Sequence, residues 1–420
     1  TVDNAVPTVT IGAPSATFAG PGPVSYSVTY ADSNFNAGTL AASAVTLNRT
    51  GSADGLVSVS GSGTSYTVTI ASITGNGTLG ISLTAGTASD LAGNSAPAAG
   101  PSATFSVDNT APTVTIGSPS SSFASAGPVT YEVTYADANF DASTLVVANV
   151  TLNRTGTANG TVSVTGSGTS YQVTISSITG DGTLGLSIAA GTATDVAGNL
   201  APASEPSATF IVDNTVPTVV IGSPSATRTA SQAVSYTVSY ADANLDAITL
   251  ATANIVLNRT GNATGTISIS SSGNDRVVTI SDITGDGTLG ISLVAGTAAD
   301  LAGTPAAAAG PSATFIVDNS APAAPSITAI STDTGSSSSD GITSDGTLVI
   351  SGTAEAGSTV TATRTGLGVI GTATANGSGA WSVDYTGTTL AGGNYSFTAT
   401  ATDAAGNASS TSAAFAVTVD

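Results

Sequence analysis

The 420 residues contain no cysteine, histidine, methionine or lysine. Disulfides, thiolate nucleophiles and imidazole acid–base catalysis are therefore excluded, as are His or Cys zinc sites and lysine Schiff bases. Charge is scarce and one-sided: 8% of residues are charged, and six arginines stand against 26 acids for a net charge of −20. Apart from Glu132, Glu205 and Glu355 the acids are all Asp, which disfavours helix and gathers in turns. A chain this poor in basic residues is not built for nucleic acid or an anionic membrane surface, because phosphate binding needs Lys and Arg. It suits solubility and the attraction of cations instead. No apolar run of about 18 residues offers a membrane insertion, and no charged-then-apolar leader opens the sequence. The chain begins inside a repeated motif and reads as an excerpt from something longer.

That motif is Val-Asp-Asn with Pro three residues on. Its aspartates are Asp3, Asp108, Asp213 and Asp318, each 105 residues from the last. A fixed period of this size is a whole small domain rather than a solenoid turn. Four units follow: residues 1–107, 108–212, 213–317 and a divergent 318–420. In the first, short alternating runs rich in Val, Ile, Thr and Tyr mark strands at 8–11, 24–30, 45–49, 56–59, 66–70, 79–83 and 103–107. Nothing in the chain has helical periodicity. Seven such strands in about a hundred residues predict an all-β chain of Greek-key sandwiches. The last strand of one unit runs into the next without a Gly/Ser linker. The fourth unit, with Trp381 and Tyr385, is expected to be a sandwich of the same class with different loops.

Alternate loops of such a sandwich gather at one end. In the second unit this collects Asp108 from the joint, Asp137 and Asp141 from the second-to-third strand loop, and Asp195 and Asn199 from the sixth-to-seventh. The first unit supplies Asp3, Asp32, Asp90 and Asn94, with Asn36 where the others have Asp. The third supplies Asp213, Asp242, Asp246 and Asp300, with Thr304 in place of Asn and hence the expectation of a weaker site. The fourth supplies Asp318, Asp403 and Asn407, and its Asp333, Asp340 and Asp345 are expected to close the same end. Two carboxylates about 5 Å apart repel by roughly 3 kcal/mol at an effective dielectric near 20. A hard cation taking six to eight oxygens would relieve this, and an irregular cage of loop ligands suits Ca2+ better than Mg2+. Asx-turns are the competing role for each residue singly. Gly180-Asp181-Gly182 and Gly285-Asp286-Gly287 read as plain turns. Arg49, Arg154, Arg259 and Arg364 read as strand-end residues at the opposite pole, each pairing with a nearby acid.

The run 107–114, Val-Asp-Asn-Thr-Ala-Pro-Thr-Val, resembles the start of a bacterial Ig-like (Big) domain. So do 192–199 and 401–407, while 351–360 is similar to a second subtype. The resemblance spans essentially the whole chain. It implies four tandem Ig-like sandwiches in an elongated rod, of the kind found in large repetitive Gram-negative surface adhesins of the RTX or biofilm-associated type. It further implies an extender rather than an enzyme: calcium at the joints stiffens it, neighbouring Ig-like repeats are its partners, and a distal module meets a host or abiotic surface. The implied location is secreted or at the bacterial cell surface. The competing reading is a glycan- or protein-binding accessory module of a secreted carbohydrate-active enzyme or S-layer protein. For that reading Trp381 and Tyr385 would have to be exposed.

Overall fold

The computed structural model describes residues 2–420 as two compact units, one ending at Asn214 and the other beginning at Thr215. Each unit holds two β-sandwiches with their own hydrophobic cores. In the first repeat the strands are β1 (Thr8–Pro14), β2 (Phe18–Ala19), β3 (Val24–Ala31), β4 (Phe35–Gly38), β5 (Val45–Arg49), β6 (Asp54–Ser62), β7 (Ser65–Thr74), β8 (Gly77–Leu83), β9 (Ala88–Asp90) and β10 (Phe105–Val107). One sheet has the order β1-β3-β7-β6 and the other β2-β10-β8-β5. This is the ABED-on-CFG arrangement of an immunoglobulin-type sandwich. The first strand is divided between the sheets, and β2 runs parallel to β10. The second and third repeats keep the same order.

Alternation explains the core. Val24, Tyr26, Val28 and Tyr30 of β3 point inward, as do Tyr66, Val68 and Ile70 of β7, while the serines and threonines between them face outward or lie at the margin. Each large apolar side chain so buried contributes about 1.5–3 kcal/mol. On β8 three successive residues, Leu79, Gly80 and Ile81, are buried. The segment ahead of β10 crosses over this strand, and a Cβ on Gly80 would lie 3.0 Å from the Thr104 side chain. Tyr26 fastens that segment by donating its hydroxyl to Ala103 O at 2.9 Å; Tyr131 and Tyr236 repeat the bond to Ala208 and Ala313.

Three short strands lie beyond the seven expected. β2 has two residues, and β4 pairs with β9 at the leading pole of the sandwich. The stretch around Phe35 was expected to be loop, yet it forms the strand that holds β9 in place. The fourth sandwich departs further. Its sheets are 326–330, 348–353 and 380–385 on one side, and 342–343, 415–419, 393–402, 359–364 and 368–374 on the other. The strand after Arg364 stays with its neighbour because a short turn pairs Arg364 directly with Gly368. In the first repeat the chain after Arg49 passes through buried Ala53 and crosses to the opposite sheet. Trp381 and Tyr385 are 4% and 7% exposed, inside the core.

The Tyr131 hydroxyl bond is testable. Tyr131→Phe keeps the ring and removes one hydrogen bond, so thermal unfolding should show a loss of about 1 kcal/mol from the second sandwich. An unchanged melt would show that this bond does not fasten the crossing segment.

Candidate functional site

The leading pole of the second sandwich brings together three of the acids singled out above. Asp108 leaves the last strand of the first repeat with its amide donating to Ala19 O at 3.0 Å. Asp137 follows the strand Val129–Ala136, and Asp195 ends the strand Ala193–Asp195, which pairs with Phe140–Ser143. Each offers a carboxylate oxygen within 4.8 Å of the other two; Asp108 and Asp195 are buried and Asp137 partly so. Asp141 does not join them, being exposed on Phe140–Ser143. Asp246 and Asn36 occupy the same exposed register, so the Asn-for-Asp difference at 36 does not bear on the site.

Amide donors hold the carboxylates in place. Asn139 Nδ2 donates to Asp108 Oδ2 at 2.6 Å, and Asn139 N to Asp137 Oδ1 at 2.7 Å. Asn199 donates its backbone N–H to Asp195 Oδ1 and its Nδ2 to both Asp195 Oδ2 and Asp108 O. Asn199, expected among the ligands, therefore ties the loop to the linker. Close approach of the preceding sandwich completes the pole. A Cβ on Gly20 would meet Ala197 O at 3.2 Å and Asn199 Oδ1 at 3.3 Å, so only glycine fits there without displacement. A groove of about 540 Å3 opens beside the linker, lined by Phe18, Asn76, Thr110, Asp137 and Asn139 among others.

The other side of the linker is clasped as well. Asn109 donates its N–H to Asn76 Oδ1 and its Nδ2 to Gly75 O, both at 2.7 Å, and Asn76 Nδ2 donates to Thr110 Oγ1. The turns expected to be plain do the same work. Asp181 accepts from Asn214 N and Asp286 from Asn319 N, each at 2.6 Å. Sequence reasoning missed these partners, and it missed Asn34 and Asn139. Their common signal was recurrence at the 105-residue period.

In the first sandwich the same scaffold is present: Asn34 Nδ2 donates to Asp3 Oδ2, Asn94 Nδ2 to Asp3 O and Asp90 Oδ2, and Asn34 N to Asp32 Oδ1. Asp3 is only partly buried, and Asp3, Asp32 and Asp90 do not form a three-carboxylate cluster of the kind at Asp108. Burial works to raise the pKa of Asp90, but donors from Asn94, Ala92 and Gly93 outweigh it and hold the carboxyl below its ordinary value; Asp403 is held low in the same way by Asn407, Ala405 and Gly406.

In the third sandwich Asp242 and Asp300 approach to within 4.8 Å, while Asp213 belongs to the unit that ends at Asn214, its amide on Ala124 O. Asp300 is 2% exposed and accepts Thr304 N on Oδ1. Its Oδ2 has no donor, because threonine stands where Asn94 and Asn199 supply one. The substitution expected to weaken this site thus strips a buried carboxylate oxygen of its partner and leaves its desolvation uncompensated within the protein. In the fourth sandwich Asp403 is wrapped by its own loop and Asn407 Nδ2 reaches Asp318 O.

One expectation is corrected by position, and another in part by the partners found. The loop carrying Asp333, Asp340 and Asp345 lies at the trailing pole, since 342–343 runs parallel to the last strand and Asp420 N donates to Thr343 O. Its carboxylates accept from Gly341, Ile342 and Thr347 in local turns. The arginines also vary. Arg49 pairs with Asp54 at 2.8 Å, Arg154 donates to Asn159 Oδ1, and Arg364 stacks over Tyr385 and Tyr395.

With this geometry in hand, residues 321–420 match the family model of a bacterial Ig-like domain. That match covers the last sandwich alone; the sheet order of the other three makes them immunoglobulin-type sandwiches by fold. Among solved structures, FdeC, an Escherichia coli adhesin, is 19% identical over 75% of this chain and 98% of its own, with a TM-score of 0.30. A tetra-tandem repeat from the extending region of a large adhesion protein is 21% identical over 99% of this chain and 100% of its own, with a TM-score of 0.29. The BSP domain of a biofilm-associated protein is 12% identical over 98% and 96%, with a TM-score of 0.22. The search of curated proteins gives no match.

The orphaned oxygen of Asp300 yields a prediction. Thr304→Asn restores the missing donor, so in chelator the third sandwich should gain about 1 kcal/mol in thermal unfolding. An unchanged or lowered melting temperature would mean that Asp300 Oδ2 is already satisfied.

Proposed function

We propose that this chain is a structural extender segment of a secreted or cell-surface bacterial adhesin, its joints stiffened by calcium, serving adhesion and biofilm formation by projecting a distal binding module. The observation that carries this reading is the meeting of Asp108, Asp137 and Asp195 within 4.8 Å at a linker. Oxygens at 2.3–2.6 Å from one Ca2+ can be at most about 5 Å apart, whereas those on Mg2+ at 2.0–2.1 Å can be at most about 4 Å apart. Oxygens no more than 4.8 Å apart are within reach of one Ca2+. No guanidinium of this unit competes for the site, since Arg49 and Arg154 are engaged with Asp54 and Asn159.

In this reading Asp108 belongs to the linker, while Asp137 and Asp195 belong to the second sandwich. An ion held by all three would supply positive charge where the carboxylates repel, and so fix the linker against the following domain. Extracellular calcium modules bind at about 10⁻⁴–10⁻³ M, which suits a calcium-rich exterior. Asp242 with Asp300 would form part of the site of the third sandwich, whereas Asp3, Asp32 and Asp90 of the first keep the scaffold without gathering in the same way. The accessory-module reading is weakened by the burial of Trp381 and Tyr385. An enzyme is disfavoured because a dedicated active site would not recur at a fixed period. No helix among the described residues is long and apolar enough to cross a membrane.

Calcium titration calorimetry and small-angle scattering of the whole chain test the proposal. Calcium should bind with measurable heat, and chelator should broaden the distribution of interatomic distances. Asp137→Ala with Asp195→Ala should remove one class of site and spare the others. No heat of binding together with identical scattering curves would overturn the calcium reading.

A further inference from the structure

The joint between the third and fourth sandwiches carries a cation of its own. Arg228 stands one period after Phe123 and two after Phe18, where the first two repeats present an aromatic ring. It lies on the short strand Arg228–Thr229, which runs parallel to Phe315–Val317, so its side chain leaves the third sandwich beside the linker. Its Nη1 donates to Asp318 Oδ2 at 3.0 Å, with both side chains partly covered. The other oxygen of Asp318 accepts Ser320 N, and Asp318 O accepts Asn407 Nδ2 from the fourth sandwich. Next to the arginine, Ala230 N donates to Ala405 O, a backbone bond from one sandwich to the other.

The anionic side of this joint is correspondingly thin. Asp403 is taken up by its own loop, and among the described residues no three-acid cluster forms around Asp318. A single linker carboxylate facing a guanidinium is already neutral as a pair. At the first joint the equivalent carboxylate meets two more acids, and the residue in the place of Arg228 is Phe18, lining an open groove.

We propose that the joint between the third and fourth sandwiches is closed by Arg228 in place of a divalent cation and holds its geometry without metal. In its contrast with the first joint the proposal rests on the calcium reading above; the arginine closure stands apart from it. Loss of metal would loosen the Asp108 joint and leave the Asp318 joint fixed, so the chain would respond to calcium at some joints and not at others.

The absence of native cysteine makes the test direct. Spin labels on Ser268→Cys and Ser382→Cys, both exposed, span the Asp318 joint, and labels on exposed Ser58→Cys and Ser163→Cys span the Asp108 joint. Distance distributions are measured by double electron–electron resonance on the whole chain. The 268–382 distribution should stay narrow in EDTA, lose its narrow peak in Arg228→Phe, and recover much of it in Arg228→Lys. Salt at about 1 M, where screening reaches within about 3 Å, should broaden it as well. Phenylalanine is the residue the first two repeats carry at this place, so the variant should fold, and a cooperative melt of the third sandwich checks that it does. Broadening of the unsubstituted joint by EDTA, or a narrow peak in folded Arg228→Phe, would overturn the proposal. The 58–163 pair reads the calcium reading separately. Indifference of that pair to EDTA would sink the calcium site while leaving the arginine closure supported by its own variants.

Discussion

Like-charge repulsion at the linker is the constraint around which the leading pole of the second sandwich is organised. Three carboxylates whose oxygens come within 4.8 Å repel by roughly 3 kcal/mol per pair at an effective dielectric near 20. Such an arrangement survives only because other groups hold it. Asn139 and Asn199 supply four of the donors, and the β4–β9 type of pairing fixes the strand that ends in Asp195. The carboxylates are thus preorganised, and the remaining cost is one of charge, which the proposed cation would offset.

The linker itself is gripped from both sides. Asn109 is held by the Gly75–Asn76 turn of the sandwich behind it, while Asp108 is held by loops of the sandwich ahead. Sequence variation then tunes the same plan locally. Thr304 removes a donor and leaves a buried oxygen unpartnered; Arg228 adds a guanidinium where a ring stood. The repeats share a fold because their alternating core residues are shared. They differ at the joints because only one or two side chains set the charge balance there.

Much of this was legible in the sequence. The seven principal strands of each early repeat stood out because Val, Ile, Leu, Tyr or Phe recur among Ser and Thr over four residues or more. β2, β4 and β9 did not, since they have two to four residues, and β4 and β9 carry Asn, Gly or Asp in place of that pattern. In the fourth sandwich, 368–374 was hidden by Gly368 and Gly371, and its change of sheet depends on a short turn that reads like any strand end. The acidic loops were visible through their recurrence, which located Asp108, Asp137 and Asp195 together. Asp141 was grouped with them by proximity in sequence, yet one more residue of strand turns it outward. The amides Asn76 and Asn139 went unread, and Asp181 was read as a plain turn, because a turn residue and a clasp look alike until the partner strand is placed.

A crystal structure of the whole chain grown with calcium tests the central claim most directly. The account predicts an anomalous-scattering peak between Asp108, Asp137 and Asp195, with their oxygens about 2.3–2.6 Å from it. Saturating calcium with only water between those carboxylates, or with the carboxylates turned apart, would contradict it.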